Sequence, residues 1–318
     1  MQPTISIVLP TYNGSKFIRT SIDSCLQQTF TDFELIIVND CSTDDTASIL
    51  KEYALQDKRI KILKNRHNKK LPLSLNRGFE AAKGKYFTWT SDDNYYAPNA
   101  LQTMLNEFEN DQHTTDLVYA NYTIIDDAGN ITGTRIFNNV YFSFFNWLGC
   151  GACFLYKAEI HKALNGYNPA AFLIEDYDFF VRAFLKYQFN YLPQTDLYFY
   201  REHAASLTST QSSAIKDVSK IFLERQLSGL EKKMDEHEVA LLYRKFAVYF
   251  AVQKNDTVKY DFYIQKLSAI SKKEALITIC YVPALKLYQT LLVSLHGCIA
   301  YLKSLITFLK LKALEALK

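Results

Sequence analysis

The sequence predicts an α/β fold with a mostly parallel central sheet, followed by an all-helical C-terminal region. In the N-terminal part, short apolar segments typical of buried strands alternate with segments of helical periodicity, and this alternation favours parallel strands with helices on both faces. The 318 residues are 48% hydrophobic and 22% charged, which is the composition of a globular chain with a substantial core. The charge balance then changes, since residues 271–318 carry seven Lys and two Glu without Asp or Arg.

Four apolar segments, and the helical patterns between them, predict the first part of the sheet. Pro10 ends the first strand, and Asn13-Gly14 supplies the turn into the first helix. Ser42, with Asp45 three residues later, resembles a capping box and predicts the start of the second helix. In order, we expect a strand over 5–9, a helix over 18–26, a strand over 35–38, a helix over 46–53, a strand over 60–63, a helix over 73–82 and a strand over 86–89.

Later segments predict a hairpin, a helix and three further strands. The turn residues 127–130 lie between apolar segments over 117–125 and 131–137, which indicates the hairpin. Tyr177, Phe180 and Phe184 have helical spacing in a segment that opens with Glu175 and Asp176, where the helix dipole favours negative charge. The further strands are expected over 153–156, 189–192 and 197–200.

Polar residues follow three of the predicted strands at their carboxyl ends. In a parallel sheet these ends meet at one edge, and ligands bind there. The sequence has neither a G-x-G-x-x-G nor a G-x-x-x-x-G-K-[ST] motif, which argues against a dinucleotide-binding or P-loop site. Carboxylates suit Mg²⁺ or Mn²⁺, which typically bind one or two of them together with substrate phosphates, so a metal-bound diphosphate fits this edge. The residues concerned are Thr11, Tyr12, Asn13, Asp40, Asp92 and Asp93.

Several motifs together resemble those of the family 2 glycosyltransferases, which have the A-type glycosyltransferase fold. They occur in the family's order and cover roughly residues 4 to 208. The resemblance implies a Rossmann-like nucleotide-diphospho-sugar transferase fold. The motifs are Ile7–Gly14, Ile37–Asp44, Asn76–Gly78 with Ala82–Tyr86, Ser91–Asp93 with Pro98, and Glu175–Asp178 with Arg182.

The resemblance also implies roles for single residues. Asp40 matches the aspartate that hydrogen-bonds the nucleotide base, Asp92 matches the last aspartate of the metal-binding D-x-D motif, and Asp176 matches the catalytic base. Glu175 is the next candidate for the base. The expected nucleotide-sugar ligands are Pro10, Thr11, Tyr12, Asn13, Asp40, Asn76, Asp92 and Asp93, and the expected ligands of Mn²⁺ or Mg²⁺ are Asp92, Asp93 and His203.

Some features leave a purely structural interpretation open. Asn39 stands where the family commonly has an aspartate, and Thr90 stands where the D-x-D motif normally begins. The two aspartates after Ser91 could initiate a helix, the acidic pair at 175–176 could only complement a helix dipole, and His203 could be a surface residue. A group of aromatic residues suits a core, with an acceptor platform as the alternative: Tyr141, Phe142, Phe144, Phe145 and Trp147.

The resemblance implies a specific reaction. We expect an inverting glycosyltransferase that moves a sugar from a nucleotide-diphosphate donor, expected to be a UDP-sugar, to a hydroxyl of a glycan or lipid-linked glycan, as in surface polysaccharide synthesis. The alternatives are a nucleotidyltransferase of the same fold, which usually has a glycine-rich basic loop unlike Pro10–Ser15, and a non-catalytic sugar-binding module. The sequence does not predict the sugar, the acceptor, the linkage or the oligomeric state.

We divide the chain into a catalytic domain over 1–210 and a C-terminal helical region over 211–318. Between Leu285 and Leu309 apolar residues recur near helical spacing with lysines among them, which suits contact with an anionic membrane surface, with the catalytic domain or with a second subunit in a homodimer. The longest uncharged stretch there, Leu287–Leu302, is shorter than the roughly 20 residues of a membrane span.

Charge, cysteines and the N-terminal segment predict the surroundings of the protein. A net charge of +3 without a basic stripe argues against a nucleic-acid partner. Six Cys are too few for a disulfide scaffold, and the N-terminus resembles a strand rather than a secretory signal. We therefore expect a cytoplasmic location, with peripheral contact to the cytoplasmic face of the membrane left open.

Overall fold

A seven-stranded sheet forms the centre of the fold in the computed structural model, which describes residues 2–109, 114–147, 149–203 and 210–288. The strands of the chain are β1 (Ile5–Thr11), β2 (Phe33–Asn39), β3 (Ile60–Lys64), β4 (Tyr86–Trp89), β5 (Tyr95–Tyr96), β6 (Leu117–Ala120), β7 (Tyr122–Ile125), β8 (Ile131–Arg135), β9 (Cys153–Lys157), β10 (Phe189–Leu192) and β11 (Tyr198–Arg201). The central sheet has the order β10-β6-β9-β4-β1-β2-β3, and β5-β11-β7-β8 form a second sheet.

The central sheet is mostly parallel, as predicted. Within it, β9 runs antiparallel to β4 and to β6, and the other neighbouring pairs are parallel. Every residue of β1 is buried, which is typical of a parallel strand with both faces covered. The fold class inferred from the sequence is confirmed.

Helices connect the strands and cover the sheet. Those of the first part are α1 (Ile18–Leu26), α2 (Thr46–Gln56), α3 (Lys70–Glu80), α4 (Ala100–Glu109), α5 (Ala158–Ala163), α6 (Glu175–Phe184), α7 (Ser212–Arg225) and α8 (Leu227–Lys233). Gly78 of α3 lies so close to Val8 of β1 that a Cβ at this position would overlap the valine side chain. The glycine thereby lets α3 pack directly on the sheet.

The predicted capping box at Ser42 is wrong. The helix α2 begins at Thr46, and Asp44 Oδ1 accepts a hydrogen bond from the Thr46 N–H at 3.1 Å. Ser42 Oγ instead accepts from the Asn13 N–H at 3.0 Å, in the turn after β1. The hydroxyl is thus used to join two loops at the edge of the sheet rather than to cap a helix.

The strand predicted over 117–125 is two strands in different sheets. They are separated by Asn121, a buried residue whose Oδ1 accepts from the Phe137 N–H at 2.9 Å and whose Nδ2 donates to the Pro193 carbonyl at 2.9 Å. These contacts satisfy a polar side chain in the interior and interrupt the ladder. The chain then continues as β7, which pairs antiparallel with β8 and confirms the predicted hairpin.

Contacts divide the chain into two units, residues 1–233 and residues from 234 onward. The first unit extends past the boundary predicted at residue 210, because Phe222 of α7 packs against Ala171 and Ile174, which precede α6. Where the catalytic domain ends functionally stays a prediction.

The second unit is helical in its described part, as predicted. It contains α9 (Glu236–Val248), a π-helical segment (Tyr249–Lys254), α10 (Thr257–Ile270) and a helix over 272–288. Asp235 and Asp256 cap α9 and α10 through their side chains. None of the described helices combines the length and hydrophobicity that crossing a membrane requires. The apolar pattern predicted beyond residue 288 lies outside the described residues.

Candidate active site

Three strands of the central sheet end close together and bring predicted site residues to one edge. Thr11, the last residue of β1, pairs with Asn39 at the end of β2, and the Asp40 N–H donates to the Thr11 carbonyl at 2.8 Å. The Thr11 hydroxyl donates a hydrogen bond to Asp92, which follows β4. The structure thus brings these polar residues together, as the parallel sheet predicted.

Hydrogen bonds to the segment after β2 hold the turn after β1. Asn13 has a φ of 56°, in the left-handed region that asparagine tolerates better than most residues. Its Oδ1 accepts from the Thr43 N–H at 2.9 Å, and its own N–H donates to Ser42. These bonds use the side-chain oxygen and the backbone N–H of Asn13. The side-chain nitrogen Nδ2 is the group that could meet a ligand.

Two other residues of this turn differ in their access to solvent. Tyr12 is 50% exposed, whereas Pro10 is buried within β1. A Cβ on Gly14 would overlap the carboxylate of Asp92, so the turn requires glycine there. The ring of Tyr12 is therefore accessible to a ligand, whereas Pro10 contributes to the shape of the turn from within the buried strand.

Asp40 holds the loop that follows β3. Its Oδ1 accepts from Asn65 Nδ2 at 2.6 Å and from the Lys69 N–H at 2.8 Å, and its Oδ2 accepts from the Lys70 N–H at 3.0 Å. The residue is only 4% exposed. A contact to a nucleotide base stays a prediction for Asp40, and it would use the remaining acceptor position on Oδ2.

Asp92 and Asp93 form an adjacent pair of carboxylates. Asp92 keeps some solvent contact but is surrounded by protein on most sides, and this burial, together with the charge of Asp93, raises the pKa of Asp92 to about 7. His203 Nε2 lies 3.0 Å from Asp93 Oδ2. A bound cation would favour the ionised form of both carboxylates.

These residues fit a divalent cation that is held together with a diphosphate. Within the described parts of the chain, no three His, Cys, Asp or Glu side chains group closely enough to hold a metal ion alone. Mg²⁺ and Mn²⁺ need no such protein cage, because they typically take further ligands from substrate phosphates and water. The assignment of Asp92, Asp93 and His203 as the metal ligands stays a prediction, and of these His203 Nε2 lies 3.0 Å from Asp93 Oδ2.

Arg201 is a residue of this site that sequence patterns did not single out, although it stands two positions before His203. It is buried in β11, and its Nε donates to the Asp93 carbonyl at 3.0 Å. Its guanidinium also donates to the Asp126 carbonyl at 2.7 Å and lies over the ring of Phe17. Arg201 thereby ties the acidic turn after β4 to the hairpin and to the start of α1.

The second acidic pair, Glu175 and Asp176, opens α6. Glu175 Oε2 accepts from the Leu173 N–H at 2.8 Å, and Asp176 Oδ1 accepts from the Tyr177 N–H at 2.7 Å. Burial, and then the charge of Asp176, raises the pKa of Glu175 to about 8. Burial also raises the pKa of Asp176. A carboxylate in such surroundings is a stronger base than an exposed one.

Two residues of the family motifs brace the loop before α6. Asn76 Nδ2 donates to the Tyr167 carbonyl at 2.7 Å, and its Oδ1 accepts from the Tyr167 N–H at 2.8 Å. Arg182 donates to the carbonyls of Leu164 and Gly166 at 2.9 and 3.0 Å. Both polar atoms of the Asn76 side chain thus bind protein backbone. The predicted contact of Asn76 to the donor would have to use the same two atoms.

The aromatic group around residue 144 is divided between core and surface. Phe144 and Trp147 are buried, as the core interpretation predicts, whereas Phe142 is 86% exposed. Phe142 lines a cleft of about 380 Å³ together with Asn146 and Tyr191. An acceptor platform stays a prediction for the exposed ring.

Comparison with known proteins shows which family and fold this chain resembles. The sequence model of Glycosyl transferase family 2 matches residues 6–164. A Bacillus subtilis chain named as a glycosyltransferase, EpsE, is 31% identical over 206 residues, which are 63% of this chain and 73% of EpsE. The family match includes the ends of β1, β2 and β4, where the predicted nucleotide-sugar ligands lie.

Two solved structures have a similar fold at low sequence identity. The structure of S. aureus TarS 1–349 in complex with UDP-GlcNAc aligns with a TM-score of 0.56 at 17% identity, over 84% of this chain and 91% of that one. The mannosyltransferase PcManGT from Pyrobaculum calidifontis, in complex with GDP-Man and Mn²⁺, aligns with a TM-score of 0.58 at 16% identity, over 91% of this chain and 82% of that one. The chain belongs to glycosyl transferase family 2, and it is a glycosyltransferase with the A-type fold.

Proposed function

We propose that the protein transfers a sugar, with inversion, from a nucleotide-diphosphate donor to a hydroxyl of a glycan or lipid-linked glycan, as in surface polysaccharide synthesis. One observation carries this proposal: the chain holds one acidic pair beside the turn after β1 and a second acidic pair, of which Glu175 is buried and Asp176 is partly exposed, at the start of α6. The first pair suits a metal-bound diphosphate, and the second suits removal of a proton from an acceptor.

A UDP-sugar is the proposed donor. The complex of TarS with UDP-GlcNAc supports this choice, and the complex of PcManGT with GDP-Man shows that a similar fold also takes a guanosine donor. The exposed ring of Tyr12 and the remaining acceptor position on Asp40 are the groups that would meet the base.

Asp176 is the proposed catalytic base. Its carboxylate accepts the proton of the acceptor hydroxyl while the acceptor oxygen forms a bond to the anomeric carbon. The bond from that carbon to the diphosphate breaks on the opposite face, its electron pair leaves with the diphosphate, and the configuration inverts. General-base assistance of this kind contributes about 10²–10⁴-fold to the rate.

Asp92, Asp93 and His203 are the proposed ligands of Mn²⁺ or Mg²⁺. When bound, such a cation supplies Lewis-acid stabilisation of the charge on the diphosphate. Arg201 keeps Asp93 in place from its backbone side, and Thr11 orients the Asp92 carboxylate.

The test is a panel of nucleotide sugars incubated with the chain, with Mn²⁺ and without it, and with the Asp176→Ala variant beside the wild type. We expect one donor to release its nucleoside diphosphate in a metal-dependent way, and we expect Asp176→Ala to abolish turnover while it still binds that donor. Binding without turnover in both chains would support a sugar-binding module. Release of inorganic pyrophosphate from a nucleoside triphosphate and a sugar phosphate would support a nucleotidyltransferase.

We further propose that the protein is cytoplasmic and that the helix over 272–288 contacts the cytoplasmic face of the membrane. This helix exposes large apolar side chains, among them Leu276 and Leu287 at 62% each. Lys272 and Lys273 stand at its start, and such lysines contribute about 1 kcal/mol each near an anionic surface. A homodimer through the same helix is the competing arrangement.

A further inference from the structure

The chain reaches α6 through a residue in an unusual conformation. Leu173 has a φ of 82°, in the left-handed region where a residue with a bulky side chain is rare. Two residues later, Glu175 begins α6, and its Oε2 accepts a hydrogen bond from the Leu173 N–H at 2.8 Å. Glu175 is only 6% exposed, so water competes little for this bond. The bond holds a backbone conformation that local sterics oppose.

The orientation of Asp176 depends on this conformation. Asp176 directly follows Glu175, and its Oδ1 accepts from the N–H of Tyr177 in the same helical turn. That bond therefore fixes the carboxylate to the first turn of α6 and not to a neighbouring element. A rotation of the backbone at Leu173 would turn this first turn and carry the Asp176 carboxylate with it.

We propose that Glu175 is a positioning residue. Through its bond to the Leu173 N–H it fixes the first turn of α6 and directs Asp176 toward the acceptor hydroxyl, and it does not itself take the proton. This inference rests on the proposed role of Asp176 as the base.

The electrostatics of the pair agree with this division of roles. Burial and the charge of Asp176 raise the pKa of Glu175, which favours its protonated form, and in that form Oε2 still accepts the bond from the Leu173 N–H. A glutamine has nearly the same shape and the same acceptor oxygen as a protonated glutamate. It can therefore replace a positioning residue, whereas it cannot replace a base.

The experiment compares Glu175→Ala, Glu175→Gln and Glu175→Ala combined with Leu173→Gly in the full chain. Turnover is measured with the donor that the wild type hydrolyses fastest, and affinity is measured with the nucleoside diphosphate of that donor. Glu159→Ala is the matched control, since Glu159 is an exposed glutamate in the first turn of α5. Crystal structures of the Glu175 variants report the φ of Leu173 directly and independently of any donor.

We expect Glu175→Ala to lower kcat by at least about 10-fold with little change in nucleotide affinity, and Glu175→Gln to stay within about 3-fold of the wild type. Leu173→Gly should restore most of the lost kcat, because glycine adopts a positive φ without the bond. In the crystal structures, the φ of Leu173 should leave the left-handed region in Glu175→Ala but not in Glu175→Gln.

Three outcomes would overturn the inference. They are an equal loss of kcat in Glu175→Gln and Glu175→Ala, an unchanged kcat in Glu175→Ala, and a failure of Leu173→Gly to restore kcat. If Glu175→Ala does not fold, the kcat of Glu175→Gln and the kcat of the combined Glu175→Ala, Leu173→Gly variant still decide the matter. Retained turnover in Asp176→Ala would instead contradict the proposed function, so the two failures are distinguishable.

Discussion

Without a ligand, the folded protein disfavours the ionised form of Asp92, because burial and the neighbouring Asp93 raise its pKa to about 7. A carboxyl with a higher pKa in the folded than in the unfolded state binds its proton more tightly when folded. Its ionisation therefore destabilises the fold as pH rises from about 4 to about 7, and the full penalty is present above pH 7. A residue kept in such a state is typical of a site that stabilises its charge with a ligand.

Asp92→Asn should stabilise the protein at high pH. We expect the free energy of unfolding at pH 8 to rise by about 1–3 kcal/mol, after allowance for the partial exposure of Asp92, and to change little at pH 5. Urea denaturation at the two pH values measures this, with the exposed Glu159→Gln as the control. An equal effect at both pH values would contradict the role of ionisation.

The same substitution should remove metal-dependent donor binding. In the wild type, Mn²⁺ should tighten the binding of UDP, and the effect should weaken as pH falls below about 7, because protonated Asp92 is a poor ligand. In Asp92→Asn we expect Mn²⁺ to add little affinity. Calorimetric titration with UDP at pH 6 and pH 8 tests both statements, and activity unaffected by a chelator would argue against the metal.

Substitution of Asp40 and substitution of Asp176 should change different kinetic constants. Asp40→Ala removes three hydrogen bonds to the loop that follows β3, so we expect a higher donor KM and a loss of about 1–3 kcal/mol of stability. Asp176→Ala should mainly lower kcat. Steady-state kinetics of both variants, with the exposed Asp45→Ala as a control, would reveal exchanged roles if the two patterns were reversed.

At the scale of elements, the loop between α5 and α6 is positioned by side chains from outside it. Asn76 reaches from α3 to the backbone of Tyr167, and Arg182 reaches back from α6 to the carbonyls of Leu164 and Gly166. The direction in which the chain enters α6 thus depends on two other helical positions.

Asn76→Ala should affect chemistry more than donor affinity. Because both ends of the amide bind Tyr167, its loss should loosen the loop, lower kcat and reduce stability by about 1–3 kcal/mol. Kinetics and denaturation measure these effects, with the surface residue Asn106→Ala as a control. A raised donor Kd with normal kcat would instead support the direct donor contact that the family resemblance implies.

The elements that the sequence predicts well are those with continuous apolar segments. Nearly all residues of β1, β2 and β4 are buried, and these strands follow from local pattern alone. Of the second sheet, the β7-β8 hairpin and β11 follow from local pattern, whereas β5, with two residues, does not. The break between β6 and β7 is also not predicted, because it occurs at a single buried asparagine. Likewise the roles of Ser42 and Arg201 depend on residues far away in the chain, and no local pattern reports such partners.

At the scale of the whole molecule, the sequence anticipated the polar edge of the sheet but not the constraints on its residues. Asp40 and Asn76, predicted donor ligands, and Glu175, a candidate for the base, all bind backbone groups of nearby loops. Those backbone partners are brought close by the fold, and the residue types give no indication of them. A variant of such a residue is therefore informative when it separates the predicted role in the site from the contact to the backbone.

The proposed membrane contact is tested with the full chain and a chain truncated after Ser271. We expect the full chain to float with liposomes that contain anionic lipid and the truncated chain to remain in solution, since it lacks the exposed apolar helix over 272–288. Liposomes of neutral lipid and the Lys272→Glu, Lys273→Glu variant control for charge. Equal flotation of both chains, or none by either, would leave the homodimer arrangement, which sedimentation then tests.

The braces around the loop before α6 have a consequence for how this protein can diverge. Asn76 and Arg182 bind peptide N–H and C=O groups rather than the side chains of residues 164–167. The identities of two of these residues are nevertheless constrained, because a Cβ at Gly166 would lie 2.5 Å from Asn76 Oδ1 and the ring of Tyr167 is fully buried. The family match ends at residue 164, where this stretch begins. We therefore expect a lineage that retains Asn76 and the direction of α6 to retain Gly166 and Tyr167 as well, and to vary first at exposed positions such as Pro169 and Ala170.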